Sequence, residues 1–141
     1  MPREARGYVR WVGGTGLSSK PVSVLYVEDE PSIAALLRDG LGLFGIKVYP
    51  IYPSAEPVLS KLSDPEVQSA DICFFDIRLP GMTGLDLARK LREAGDKRPF
   101  VIVSAYHPPE PGLLESLEAR FMPKPFDFAG IVALIQELVV R

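Results

Sequence analysis

The sequence predicts an α/β fold in which five parallel strands form one doubly wound sheet with helices on both faces. Short runs rich in β-branched and aromatic residues alternate along the chain with segments whose apolar residues recur at helical spacing. Three of the runs, Val24–Val27, Ile72–Phe75 and Val101–Val103, are apolar without interruption. Strands buried on both faces of a parallel sheet have this composition, because helices cover both sides of the sheet.

The alternation gives ten expected elements, five strands and five helices. Pro31 fits the first turn of a helix because its missing N–H would be unpaired there, and Ser54 is expected to cap the second helix. The expected strands are Val22–Val27, Ile46–Ile51, Asp71–Phe75, Phe100–Ser104 and Phe121–Met122. The expected helices run from Pro31 to about Gly45, from Ser54 through Leu62, from Leu85 to Gly95, over Gly112–Ala119 and over Asp127–Val140.

The first twenty residues differ from the rest of the chain. Arginine, glycine and serine are interleaved there without periodicity, so residues 1–20 are expected to be a flexible tail and residues 21–141 one folded domain. A net charge of −2 gives no general reason to expect nucleic acid or an anionic membrane as a partner. No stretch approaches the ~20 apolar residues that span a bilayer, and we expect a cytoplasmic protein.

Polar residues lie at or just after the ends of four of the expected strands. Glu28 and Asp29 come after the first strand, Asp76 after the third, Ser104 ends the fourth, and Lys124 lies just past the fifth. In a doubly wound sheet, ligands bind beyond the carboxyl ends of the strands. The sequence therefore predicts that acidic, hydroxyl and basic groups from distant parts of the chain meet at one edge of the sheet.

The chemistry of these groups is mutually consistent. Crowded carboxylates repel each other, and a divalent cation removes that conflict. Mg²⁺ prefers oxygen ligands and binds through one or two carboxylates, waters and phosphate oxygens. Asp76 can attack phosphorus and form an acyl phosphate. Lys124 would stabilise the charge of the transferring group as a compact point charge, and Ser104 can donate a hydrogen bond to a phosphoryl oxygen.

Four segments carry a resemblance to the response-regulator receiver domains of two-component signalling. They are Val-Glu-Asp-Glu (27–30), Phe-Phe-Asp-Ile-Arg-Leu-Pro-Gly-Met-Thr-Gly (74–84), Val-Ser-Ala (103–105) and Pro-Lys-Pro-Phe (123–126). Each segment alone is a weak signal, but all four occur in order and at the usual separations of that family. The resemblance covers about Pro21 to Arg141 and implies the flavodoxin-like strand order 2-1-3-4-5.

The resemblance implies the cofactor and its ligands. Asp76 would be the phosphoacceptor and a ligand of Mg²⁺, for which Mn²⁺ could substitute. Asp29 would bind the metal directly, Glu28 mainly through water, and Arg78 through its backbone carbonyl. Lys124 would contact the phosphoryl group, and its bond to Pro125 would be cis.

The resemblance also implies a switch and two kinds of partner. Ser104 would move towards the phosphoryl group, and Phe121 would turn inward with it. A histidine kinase or a phosphotransfer domain would donate the phosphoryl group. An output protein or domain would bind near the fourth expected helix, the fifth strand and the fifth expected helix.

The sequence departs from the family pattern in three places. Glu28 replaces the commoner aspartate and is one methylene longer, and Phe121 lacks the hydroxyl of the tyrosine often found there. Three prolines and a glycine in Tyr106–Gly112 forbid regular helix until about Pro111. The fourth expected helix should therefore be short or displaced, with an altered output surface.

Arg78 and Tyr106 are interpreted as tuning residues. They lie two residues after Asp76 and Ser104, respectively. At those positions both side chains would flank the phosphoryl group and could hinder attacking water. We therefore expect them to set the lifetime of the acyl phosphate.

Two other functions use some of the same residues. An aspartate-nucleophile phosphohydrolase also uses Asp and Mg²⁺, but it generally needs a second acid two residues after the nucleophile, where this chain has Arg78. A receiver-like adaptor would work without phosphorylation, but the residues expected for phosphorylation are all present: Glu28, Asp29, Asp76, Ser104 and Lys124. The preferred interpretation is a signalling module and not an enzyme.

Overall fold

The computed structural model of the chain describes residues 21–139. The expected tail, residues 1–20, and the last two residues lie outside the described residues. None of the helices within residues 21–139 has the length and apolar character needed to cross a membrane.

One parallel sheet forms the centre of the described chain. Its strand order is β2-β1-β3-β4-β5, and every neighbouring pair runs parallel. This arrangement confirms the predicted fold class and strand order. Within residues 21–139 the strands are β1 (Ser23–Val27), β2 (Lys47–Tyr52), β3 (Ile72–Asp76), β4 (Phe100–Ser104) and β5 (Ala119–Pro123).

Helices cover both faces of this sheet because successive strand residues point to opposite sides. Within the described residues the helices are α1 (Pro31–Gly42), α2 (Glu56–Ser60), α3 (Pro65–Gln68), α4 (Gly84–Glu93), α5 (Pro111–Leu117) and α6 (Phe128–Val139). Val24 and Tyr26 pack in the cluster that contains buried residues of α1 and α6, whereas Leu25 and Val27 pack in the cluster that contains those of α2 to α5.

The second expected helix is the main correction to the predicted elements. It is observed as α2, which is shorter than the expected span from Ser54 through Leu62, and the residue that precedes α2 is Ala55 and not the expected cap Ser54. A further short helix, α3, follows it and was not predicted. The separate start of α3 has a local cause, because Pro65 disfavours helical backbone at Asp64. Asp64 instead has extended backbone, and its side chain accepts a hydrogen bond from the Glu66 N–H at the start of α3.

The fourth expected helix, α5, is short, as the sequence predicts. It begins at Pro111 and spans 7 residues, since the preceding prolines prevent an earlier start. Its end is fixed by Arg92 of α4, whose guanidinium donates hydrogen bonds to the carbonyls of Leu117 at 2.8 Å and Glu118 at 2.9 Å. The C-terminal end of α5 is therefore tied to α4.

Gly84 allows α4 to begin directly against the end of β3. A Cβ atom built at Gly84 would lie 2.0 Å from the Asp76 carbonyl oxygen, so a side chain cannot fit without moving backbone. Thr83 caps the helix by accepting a hydrogen bond from the Asp86 N–H at 3.1 Å. The absence of a side chain at position 84 thus helps to set the backbone position of Asp76.

We predict that Gly84→Ala lowers the free energy of unfolding by about 1–3 kcal/mol, the usual cost of an added methyl group in a filled space. Urea unfolding of the purified protein measures this difference. Gly42→Ala is the matched control, because its added Cβ has no neighbour within 4 Å and alanine is the better helix former. Equal stability of Gly84→Ala and the unaltered protein would contradict the close approach.

Candidate functional site

Three carboxylates meet at the carboxyl ends of β1 and β3. Asp76 is the last residue of β3, and Glu28 and Asp29 follow β1 directly. One ligand oxygen from each of the three lies within 4.8 Å of the others. Glu28 and Asp76 are buried, whereas Asp29 is exposed. The structure therefore brings together the acidic residues that the sequence predicts to converge.

Lys124 places a positive charge between two of these carboxylates. Its Nζ lies 2.8 Å from Glu28 Oε1 and 3.3 Å from Asp76 Oδ2. The backbone N–H of Lys124 donates to the Ser104 carbonyl at 2.9 Å, which holds the residue beside the end of β4. The Lys124–Pro125 peptide bond is cis, as the resemblance implies. One ammonium group thus connects Lys124 to Glu28, which is 96 positions away in sequence, and to Asp76, which is 48 positions away.

The electrostatics of the site follow from burial and crowding. Burial and the nearby Glu28 carboxylate raise the pKa of Asp76 from 3.8 to about 6, although Lys124 acts in the opposite direction. Burial favours the neutral amine of Lys124, but its contacts with Glu28 and Asp76 outweigh this effect and raise the pKa of Lys124. At neutral pH, Asp76 is therefore mostly a carboxylate and Lys124 an ammonium ion.

The donor set suits a hard divalent cation. Each of the three residues offers carboxylate oxygen, which Mg²⁺ and Mn²⁺ both accept. Two of the carboxylates share the charge of Lys124, so the cluster keeps an excess of negative charge. Glu28, Asp29 and Asp76 therefore form a group that could hold a metal ion.

Ser104, Tyr106 and Arg78 lie around the ends of β3 and β4. Ser104 is buried at the end of β4, and its Oγ accepts a hydrogen bond from the Tyr106 N–H at 3.0 Å. The Arg78 guanidinium carbon lies 4.1 Å from the centre of the Tyr106 ring. Arg78 and Tyr106 are both exposed. The two residues predicted to flank the phosphoryl group therefore contact each other through a cation–π interaction.

Phe121 lies in the middle of β5 and is half-buried against the cluster of α2 to α5. It pairs with Ile102 of β4. Its predicted role as a moving residue, and the predicted metal contact of the Arg78 carbonyl, remain predictions.

Tyr26 belongs to the site, although the sequence analysis did not select it. Its ring is fully buried in β1, and its hydroxyl donates a hydrogen bond to Glu28 Oε1 at 3.0 Å. A signal was available, because strand residues two apart point to the same face. A tyrosine two positions before a buried glutamate is therefore placed to contact it.

The fold and this edge of the sheet define the chain as a doubly wound α/β protein with an acidic site at the carboxyl ends of its strands. A narrower assignment follows from comparison with protein families. The model of the response regulator receiver domain matches residues 24–136. The chain belongs to this family, which confirms the resemblance inferred from the four sequence segments.

Full-length regulators are among its relatives. The two-component response regulator PhoP of Pseudomonas aeruginosa is 33% identical over 123 residues, which cover 85% of this chain and 52% of PhoP. The DNA-binding transcriptional regulator NtrC of Escherichia coli is 30% identical over 118 residues, which cover 82% of this chain and 24% of NtrC. The chain thus spans about half of PhoP and about a quarter of NtrC.

Solved receiver domains share the fold. The CheY-like receiver domain from Methylobacillus flagellatus aligns with a TM-score of 0.72 at 25% identity, covering 84% of this chain and 98% of that domain. The BeF₃-activated N-terminal receiver domain of Klebsiella pneumoniae RstA aligns with a TM-score of 0.73 at 22% identity, covering 84% and 99%. These alignments support the flavodoxin-like arrangement of the sheet and its helices.

Proposed function

We propose that this chain is a phosphorylation-controlled signalling switch in which Asp76 accepts a phosphoryl group. A histidine kinase or a phosphotransfer protein would be the donor. The observation that carries the proposal is the position of the Asp76 carboxylate, which lies 3.3 Å from the Lys124 ammonium and beside two further carboxylates. Membership of the receiver family agrees with this role.

Each site residue has a distinct part in the proposed transfer. An oxygen of the Asp76 carboxylate forms a bond to phosphorus while the bond from phosphorus to the donor imidazole nitrogen breaks, leaving its electron pair on that nitrogen. Lys124 stabilises the negative charge of the phosphoryl oxygens, and the Ser104 hydroxyl can donate a hydrogen bond to one of them. The pKa of Asp76, about 6, leaves this carboxylate ionised and reactive at neutral pH.

The carboxylates also prepare the site for a cation. A bound Mg²⁺ would offset the charge of the carboxylates and of the phosphoryl oxygens. Asp29 and Asp76 would hold it directly, Glu28 mainly through water, and Arg78 through its backbone carbonyl. The exposure of Asp29 beside the buried Glu28 and Asp76 suits a site that opens to solvent and to a donor protein.

The output surface is proposed to lie on α5, β5 and α6. Ser104 at the end of β4 connects the site to Tyr106 through a hydrogen bond, and the segment from Tyr106 leads into α5. Arg92 ties the opposite end of α5 to α4. A shift of Ser104 and Phe121 on phosphorylation would therefore change the start of α5 more than its end.

The hydrolase alternative finds no support in the geometry around Asp76. Arg78 occupies the place of the second acid, and its guanidinium stacks on Tyr106. A signalling domain that retains the phosphoryl group therefore fits the site better than an enzyme that releases many phosphates.

We predict that incubation with acetyl phosphate and Mg²⁺ adds one phosphoryl group to the protein, detected by intact mass. Asp76→Asn should abolish the adduct, because an amide cannot replace the carboxylate nucleophile. Asp39→Asn is the matched control, since Asp39 is an exposed carboxylate on α1 that pairs with Arg38; it should be modified like the unaltered protein.

Each result of this experiment separates the three functions. An adduct lost only in Asp76→Asn supports the receiver role. Steady release of phosphate by the unaltered protein without a lasting adduct would instead indicate a hydrolase. If the unaltered protein shows neither an adduct nor phosphate release, the result would indicate a phosphorylation-independent adaptor.

We further predict that Arg78→Ala and Tyr106→Ala shorten the half-life of the adduct, because each removes part of the cover that hinders attacking water. The two effects should not add. A coupling of about 0.5–1 kcal/mol, the usual strength of an exposed cation–π contact, makes the decay rate of the double variant differ about two- to fivefold from the product of the two single rate changes. Intact mass recorded over time measures the decay of each variant.

Tyr49→Ala is the control for this comparison. Tyr49 is also exposed and faces a cation, the Lys47 ammonium at 5.3 Å from the ring centre, but it lies on β2, away from the ends of β3 and β4. Its adduct should decay at the rate of the unaltered protein. Unchanged decay in both Arg78→Ala and Tyr106→Ala would refute the shielding role.

A further inference from the structure

The hydroxyl of Tyr26 is the feature of the site that the proposed transfer does not use. The residue has no solvent exposure, and its ring packs edge-to-face against Phe74 of β3, with 6.4 Å between the ring centres. A buried tyrosine hydroxyl needs a hydrogen-bond partner, and Glu28 Oε1 accepts from it at 3.0 Å. The ring is therefore held by the core while its hydroxyl points at a predicted metal-site residue.

Three donors fix the Glu28 carboxylate from different sides. Oε1 accepts from both the Tyr26 hydroxyl at 3.0 Å and the Lys124 ammonium at 2.8 Å. Oε2 accepts from the Glu30 N–H at 3.2 Å. Only 1% of the Glu28 side chain is exposed, so water can replace these donors only to a small extent. The orientation of the carboxylate depends on the protein groups around it.

The proposed transfer removes one of the three donors. Lys124 contacts Glu28 at a shorter distance than it contacts Asp76, so an ammonium that turns towards a phosphoryl group must weaken its contact with Glu28. A buried carboxylate left without a donor is destabilised. The Tyr26 hydroxyl contacts the same oxygen, and its position does not depend on Lys124.

We propose that Tyr26 is a positioning residue of the phosphorylation site, whose hydroxyl keeps the Glu28 carboxylate oriented towards the cation both before the transfer and while Lys124 contacts the phosphoryl group. The proposal rests on the proposed function. The use of glutamate at position 28 agrees with it, because the additional methylene group extends the carboxylate towards the hydroxyl.

The test compares Mg²⁺ affinity in four proteins by calorimetric titration: the unaltered protein, Tyr26→Phe, Glu28→Asp and the double variant. Tyr26→Phe should bind Mg²⁺ about tenfold more weakly, the lower end of the usual loss when a group supporting a metal ligand is removed. Glu28→Asp withdraws the carboxylate from the hydroxyl. In that background Tyr26→Phe should therefore change the affinity by less than about twofold.

The control is Tyr49→Phe, which removes a hydroxyl from an exposed tyrosine and should leave Mg²⁺ affinity unchanged. Equal affinity of Tyr26→Phe and the unaltered protein would overturn the proposal for Tyr26 alone. An equal loss with and without the Glu28→Asp substitution would also overturn it, because the loss would then reflect general weakening of the core. Absence of Mg²⁺ binding by the unaltered protein would contradict the proposed function as well.

Discussion

The contact of one ammonium group with two buried carboxylates is the interaction on which the site depends. Lys124 lies 2.8 Å from Glu28 and 3.3 Å from Asp76, and it offsets part of a repulsion that would otherwise protonate a carboxylate. The compensation is incomplete, since the pKa of Asp76 remains raised to about 6. This remaining negative charge suits the cluster to a cation. In the proposed transfer, a bound cation would offset it and would leave Lys124 available to the phosphoryl group.

The sheet makes this crowding possible. β1 and β3 are neighbours, so their carboxyl ends bring Glu28 and Asp76 together, and the close start of α4 at Gly84 fixes the backbone behind Asp76. Holding the carboxylates in these positions takes buried apolar strands, whose packing opposes the electrostatic cost. The exposed Tyr106 follows the end of β4, and the chain continues from it into the short α5, which belongs to the proposed output surface.

Local sequence patterns predicted most of the fold because central parallel strands are unbroken apolar runs; the bounds of β4, Phe100–Ser104, are those expected. The residues that end the strands were predictable for the same reason. The short helix α3 was missed because it spans only 4 residues, too few for a periodic apolar pattern, although the Asp64 cap and Pro65 mark its start. The contact of Tyr26 with Glu28 was missed because an aromatic residue is ordinary in a buried strand, and only the packed structure shows where its hydroxyl points.

The state of the Asp76 carboxyl tests the central claim most directly. A ¹³C NMR titration that follows the side-chain carboxyl of Asp76 measures its pKa first without divalent metal and then with Mg²⁺. We expect a pKa of about 6 in the metal-free protein and a clear fall with Mg²⁺, because a nearby cation favours the ionised form. A pKa near the ordinary 3.8 that does not respond to Mg²⁺ would contradict both the crowding of the carboxylates and their role as a cation site.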